Sequence, residues 1–294
     1  MTPLSAPLPK GGDPLMAGQG FFTRSGVRLR QRSQGPGDLN WLLLPGGPGI
    51  GSESLHELAD VLNVPGSIWM VDLPGDGSNL DPPGAPTDPF SCWPMVLVEA
   101  AQALPHAIYV GHSTGGMYLL STPEVEAHIA GLALVSTAPD ARWRPRFFQM
   151  TRSHPLPAVD AAKAVYGRER TTAAIRDIAV ASAEWNFATR SLDVGRELLG
   201  RMPYNRLAID WSYCNFDETY ISAWWPQTIP TLIVSGADDR IVWQGAWEEP
   251  RFRGSNVMHC TIEGGAHFPW IENPQAVQQA FSKLAAKVIS TPAK

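Results

Sequence analysis

Ala107-Ile108-Tyr109-Val110-Gly111-His112-Ser113-Thr114-Gly115-Gly116 is the stretch on which the reading of this chain turns. Ala107–Val110 is a short apolar run and predicts a buried strand. Gly111–Gly116 then turns that strand into a helix that runs through Leu120. Within the turn, Gly111, Ser113 and Gly115 fit G-x-S-x-G. A serine nucleophile needs those types at that spacing. It must stand on a cramped strand-to-helix turn, and the two glycines leave room for the backbone to fold back. Ser113 is then held at the helix start with its hydroxyl presented. The Thr114 amide points at the same spot, helped by the helix N-terminus.

Outward from this turn, strands and helices alternate. Upstream, Phe21–Arg32 reads as a hairpin around Ser25-Gly26. Trp41–Leu44 reads as a buried strand that ends in Pro45-Gly46-Gly47-Pro48-Gly49. Leu55, Leu58, Ala59 and Leu62 mark one face of a helix over Ser52–Leu62. Ser67–Val71 is a strand followed by Asp72-Leu73-Pro74-Gly75-Asp76-Gly77, and a helix is expected near Trp93–Leu104. Downstream, Gly131–Val135 is a strand. The alternation resumes at Thr231–Val234, with a helix expected near Trp243–Glu249, a strand at Val257–Ile262 and a final helix from Pro274 to about Ile289. This order predicts an α/β fold: a mostly parallel twisted sheet with helices on both faces.

Between about Arg142 and Pro226 the alternation stops. Ala158–Val165, Thr172–Ala183 and Arg190–Leu199 read as helix, and no apolar strand stands out. The expected organisation is a flexible arm over 1–20, a core over 21–141 and 227–294, and a helical lid over 142–226. A lid would sit over the carboxyl edge of the sheet, where open α/β folds bind ligands. It is rich in aromatics, among them Trp143, Phe147, Phe148, Trp185, Phe187, Trp211, Tyr213, Phe216, Tyr220, Trp224 and Trp225. These serve either an apolar acyl pocket or packing of lid on core.

Composition bounds the function. The 294 residues are 44% hydrophobic and 17% charged, with a formal net charge of -5. That balance belongs to a globular protein and argues against a nucleic-acid partner, which would need a basic face. No apolar run approaches the roughly 20 residues of a membrane-spanning helix. Met1–Gly20 lacks a basic start and a continuous apolar centre, so the expected compartment is the cytoplasm. Cys92, Cys214 and Cys260 form neither a disulfide framework nor a zinc pattern. The expectation is no cofactor, no metal and a small-molecule substrate, with no oligomeric state implied.

A serine nucleophile needs a base. His267 lies in Gly264-Gly265-Ala266-His267-Phe268-Pro269, a glycine-flexed loop just past the last expected strand. His259 lies inside that strand, where packing is the simpler role. His112 adjoins the serine, but its side chain is expected to point away on the tight turn. The base in turn needs a carboxylate to fix its tautomer. Ser235-Gly236-Ala237-Asp238-Asp239-Arg240 follows a strand and offers two candidates, Asp238 and Asp239.

These motifs resemble the α/β-hydrolase superfamily, and within it the lid-bearing branch of proline iminopeptidases, C–C bond hydrolases and small esterases. The similarity runs from about Phe21 to Ile289. It implies the chain order serine, acid, histidine, and its G-x-x-D pattern selects Asp239. The family's histidine loop is similar to Gly264–His267 together with Glu272–Pro274, and its D-x-x-G-x-G turn to Asp72–Gly77. The family usually has His-Gly-Gly-Pro-Gly where this chain has Pro45–Gly49, a swap that bears on the shape of the loop. The resemblance implies Gly47 as the second amide donor beside Thr114. Serine at position 113 excludes the aspartate chemistry of haloalkane dehalogenases and epoxide hydrolases. The expected activity is a carboxylic ester hydrolase. The alternatives are an aminopeptidase of the proline iminopeptidase kind, a C–C bond hydrolase, a lyase or a non-catalytic receptor. An aminopeptidase would need lid carboxylates, for which Glu184, Asp217 and Glu218 are the candidates.

Overall fold

Residues 20–291 are described by a computed structural model; the expected arm over 1–20 lies outside them but for Gly20. Strands β1 (Gly20–Phe22) and β2 (Arg28–Gln34) form the expected hairpin. β3 (Asn40–Leu44), α1 (His56–Val61), β4 (Ser67–Asp72), α2 (Trp93–Ala103), β5 (Ala107–His112), α3 (Thr114–Leu120) and β6 (Ile129–Val135) follow. Helices α4 (Trp143–Ser153), α5 (Pro157–Glu169), α6 (Thr172–Ala181), α7 (Ala183–Asn186), α8 (Leu192–Arg201) and α9 (Arg206–Asn215) come next. The chain closes with β7 (Thr231–Gly236), β8 (Val257–Ile262), α10 (Pro269–Glu272) and α11 (Pro274–Ser290).

The eight strands make one sheet in the order β1-β2-β4-β3-β5-β6-β7-β8. Only β1 with β2 and β2 with β4 pair antiparallel; every other pairing is parallel. The central strands are buried on both faces, and all six residues of β5 are buried. That is why they read as unbroken apolar runs rather than alternating ones.

The period-2 geometry of a strand still sorts their side chains. Trp41, Leu43, Ile108 and Val110 pack on one face, with Leu55, Leu58, Trp270, Phe281 and Leu284. Leu42, Leu44, Tyr109, Leu132 and Leu134 pack on the other, with Trp93, Val96, Leu97 and Leu119. Fully burying each large apolar side chain stabilises the fold by about 1.5–3 kcal/mol. α11 is held at its start by Asn273, whose side chain accepts from the Ala276 amide, and the Trp41 and Phe281 rings meet at 6.1 Å.

Two expectations change. Trp243–Glu249 is not an α-helix: it forms short 3₁₀ turns over Gln244–Glu248 and Pro250–Phe252. Glu249 is extended, as the residue before Pro250 prefers, and this stops any helix there. The segment between β6 and β7 also holds more helix than the three periodic stretches indicate. α4 and α9 add to them, and the stretch read as Thr172–Ala183 breaks at Ser182 into α6 and α7. Among the described residues, no helix is long and apolar enough to cross a membrane.

Candidate active site

The turn between β5 and α3 is strained as its sequence predicts. Ser113 has φ 50° and ψ -123°, a conformation that costs a non-glycine residue about 1–3 kcal/mol. The neighbours enforce it. A Cβ on Gly111 would lie 2.6 Å from the Gly116 Cα, and one on Gly115 would run into the Pro45 carbonyl. The Ser113 amide donates to the Val135 carbonyl at 2.9 Å, which pins the turn to β6.

Three side chains from three loops converge at this edge of the sheet. His267 Nε2 stands 3.2 Å from Ser113 Oγ. Its Nδ1 stands 3.1 Å from Asp239 Oδ2 and 3.2 Å from Oδ1. The Asp239 side chain is 0% exposed, so its charge needs internal partners. It has them: Oδ1 accepts from the Ile241 and Val242 amides at 2.9 and 3.0 Å, and Oδ2 accepts from Gln244 Nε2 at 3.2 Å. Asp238 is exposed, and its backbone amide bonds the Gly265 carbonyl. Of the two aspartates left open by the residue pattern, only Asp239 reaches the imidazole.

His112 bonds neither Ser113 nor Asp239. Its Nε2 meets the His267 carbonyl at 3.1 Å, and the two rings lie 4.9 Å apart. Burial, then the nearby His267, holds the His112 imidazole well below its usual pKa. It is therefore neutral with the proton on Nε2, and it braces the backbone of the histidine loop. His259 bonds the Phe252 carbonyl at 2.8 Å, away from the serine.

The Gly46–Gly49 loop lies against the serine: a Cβ on Gly46 would fall 2.6 Å from the Ser113 Cβ. The Thr114 hydroxyl reaches the Gly47 carbonyl at 3.5 Å. Thr114 is the first residue of α3, so its amide has no partner inside that helix.

Two carboxyls that the sequence pattern does not single out, the buried Asp76 and the half-buried Glu272, complete the surroundings. Glu272 accepts from the Ala188 amide at 2.9 Å and the Ala266 amide at 3.0 Å, and burial raises its pKa. Asp76 accepts from the Gly49 amide at 2.8 Å. Burial, reinforced by the Asp72 charge, pushes Asp76 up to about 7. Glu272 falls in the motif that carries the family resemblance, which was its only signal. Asp76 lies within the Asp72–Gly77 turn of the same resemblance, at a position that the D-x-x-G-x-G pattern leaves open.

Around the serine helix, Met117, Ala138, Tyr220 and Val242 are buried together, with Trp143, Phe216 and Ile241 packed on them. These come from α3, the loop after β6, the acid loop and the inserted segment. Other aromatics of the insertion pack on the core: Phe187 stacks on Phe268 at 4.9 Å, and Trp211 meets Trp93 at 5.8 Å. A cavity of about 330 Å³ opens beside Asp239, between α4 and the acid loop, where Phe147, Met150, Ile241 and Trp243 share the wall with Arg146 and Arg240. A larger cleft of about 690 Å³ runs between the Glu184–Leu192 stretch and Asp238, Arg240 and Ala266, and Ser113 does not line it. The three acids expected for an amino-terminus site are engaged within the insertion. Glu184 pairs with Arg196 at 3.7 Å, Glu218 with Arg144 at 3.5 Å, and Asp217 accepts from Ser212 Oγ at 2.7 Å.

The family model described as "Alpha/beta hydrolase family" matches residues 41–280. A pimeloyl-[acyl-carrier protein] methyl ester esterase of Xanthomonas oryzae pv. oryzae is 26% identical over 240 residues, covering 75% of this chain and 85% of the relative. Among solved structures, a proline iminopeptidase-related protein from Thermus thermophilus aligns with a TM-score of 0.68 at 19% identity, over 93% of this chain and 99% of that one. An esterase from Exiguobacterium antarcticum aligns with a TM-score of 0.65 at 18% identity, over 93% of this chain and 100% of that one.

Proposed function

Because this chain belongs to the alpha/beta hydrolase family, we propose that it is a carboxylic ester hydrolase working through an acyl-enzyme on Ser113. The observation that carries the reading is the unbroken relay from Ser113 Oγ through His267 to the buried Asp239 carboxylate.

His267 Nε2 takes the proton as Ser113 Oγ attacks the ester carbonyl. Asp239 holds the Nδ1 proton, which fixes the tautomer and stabilises the imidazolium that forms. The Thr114 and Gly47 amides receive the oxyanion of the tetrahedral intermediate. A single side-chain donor in such a hole is worth about 10²–10³ in kcat. His267 returns the proton to the departing alcohol. A water then attacks the acyl-enzyme by the same route and frees Ser113.

The inserted helices over 142–226 act as a lid. The acyl group would lie against the apolar side chains packed around the serine helix, Met117, Ala138, Tyr220 and Val242. Short-chain methyl esters, free or borne on a carrier, are the first substrates to try, since the esterase relative is named for a methyl ester. A cytoplasmic location belongs to the same proposal and is supported by three free cysteines; cell fractionation tests it.

The activity test is Ser113→Ala against p-nitrophenyl esters, with proline and alanine arylamides alongside. The reading expects ester turnover in the wild type and about a 10⁶-fold loss in the variant. Ester turnover undiminished in folded Ser113→Ala contradicts it, as does turnover of arylamides alone.

A further inference from the structure

The inserted helices reach the glycine loop beside Ser113 through Asn205, the residue that precedes α9. Asn205 makes three different hydrogen bonds. Its Oδ1 accepts from the Leu207 amide at 3.0 Å and so caps α9. Its Nδ2 donates to the Gly75 carbonyl. Its backbone N–H donates to the Gly49 carbonyl at 2.7 Å.

Gly49 is gripped from its other side as well, because its own amide donates to Asp76 Oδ1 at 2.8 Å. Asp76 follows Gly75 directly, so the bonds close a ring: Gly49 to Asp76, along the chain to Gly75, across to Asn205, and back to Gly49. The ring is buried, with Asp76 3% and Asn205 9% exposed, so none of its bonds is readily exchanged for water. It also has no slack. A Cβ on Gly49 would stand 2.6 Å from the Asn205 carbonyl oxygen and 3.0 Å from Ile209 Cγ1.

We propose that Asn205 is a positioning residue for hydrolysis: it ties α9 to the Gly46–Gly49 loop, so the seating of the insertion sets where the Gly47 amide stands relative to Ser113. This rests on the reading of Gly47 as an oxyanion donor. An amide moved by a fraction of an ångström still lets an uncharged ester bind. It loses strength where charge develops, in the transition state. The loss therefore falls on kcat and leaves KM in place. An insertion that lifts from the core takes with it a partner of Gly49, and the hole is complete only when α9 is down. Closing the site and assembling its electrostatics become one event.

The test uses the full chain, p-nitrophenyl butyrate and an aryl trifluoromethyl ketone, which forms an oxyanionic adduct with a serine nucleophile. Asn205→Asp keeps the helix cap and the backbone N–H but sets a carboxylate oxygen against the Gly75 carbonyl. Asn205→Ser keeps the cap and cannot reach Gly75, which covers the case in which the first variant does not fold. The expected result is a kcat lower by about 10- to 100-fold, KM within about threefold, and ketone affinity weakened by the same factor as kcat/KM. Folded variants with wild-type kcat overturn the proposal, and so does a loss confined to KM or to melting temperature. Failure of the underlying reading looks different: the wild type itself is then not inhibited by the ketone, and Ser113→Ala still turns over the ester.

Discussion

The insertion meets the two halves of the candidate site in different ways. On the histidine side, the end of α7 and the chain that follows it are both packed and bonded to the loop that carries His267. Phe187 stacks on Phe268, the His267 amide donates to the Asn186 carbonyl at 3.1 Å, and Glu272 takes one amide from each side. On the glycine-loop side, Ile209 packs beside Gly49, and the hydrogen bonds are concentrated at Asn205 and Asp76. The first seam is anchored by buried apolar area, which gives way gradually. The second depends on a few directional bonds around glycines, which are either made or lost. The proposed base should therefore tolerate disturbance of the insertion better than the proposed oxyanion donors do.

Four substitutions can break or sharpen that contrast. Asp239→Asn disables the histidine side at its source. It keeps the shape and loses the charge that fixes the imidazole tautomer, so kcat should fall about 10⁴-fold with the fold intact; a loss below tenfold in steady-state ester assays would mean that His267 does not need the carboxylate.

Gly49→Ala attacks the other seam. With φ +86° and the Asn205 carbonyl 2.6 Å from the new methyl, the loop must shift. Kinetics should show a kcat loss of about 10²–10³, the value of one oxyanion donor.

Phe187→Ala removes the apolar anchor of the histidine seam. Thermal or denaturant unfolding should lose about 3–5 kcal/mol, while kcat well below the melting point stays within a few-fold. A collapse of kcat at full folding would erase the difference between the seams.

Asp76→Asn removes the charge while keeping an oxygen for the Gly49 amide. The buried carboxyl is pushed from 3.8 to about 7, so between those values the folded chain holds a proton that the unfolded chain has released. Stability then declines as pH rises through that window. The cost has a ceiling of roughly 4 kcal/mol, and relaxation leaves only part of it. Asp72 and Glu53 face the group and add to the cost, while the Gly49 and Gly77 amides offset it. Unfolding measured from pH 4 to pH 7 should show the variant gaining on the wild type as pH rises; parallel curves would place Asp76 in an ordinary ionised state.

The sheet and the serine turn were legible because their signals are local. An apolar run followed by G-x-S-x-G fixes strand, turn and helix within ten residues, and glycines at 111 and 115 are dictated by contacts that any such turn makes. The Ser113, Asp239 and His267 cluster was legible from loop positions at strand ends, with the choice of Asp239 over Asp238 resting on family resemblance. Asn205, Asp76 and Gln244 were not, and Glu272 was marked only by the family resemblance. Each acts on the backbone or carboxylate of a residue that only the folded chain brings near, and no periodicity records that. The Trp243–Glu249 segment misled because its apolar spacing suits a helix, whereas Pro250 and the Gln244 bonds to Ser235 and Asp239 favour tight turns.

Intact-mass and peptide-mapping spectrometry after treatment with a fluorophosphonate tests the central claim most directly. A single adduct on Ser113, lost in Ser113→Ala and formed far more slowly in Asp239→Asn, is the predicted result. A folded wild-type sample that takes no adduct, or takes it elsewhere with Ser113 untouched, would contradict the account.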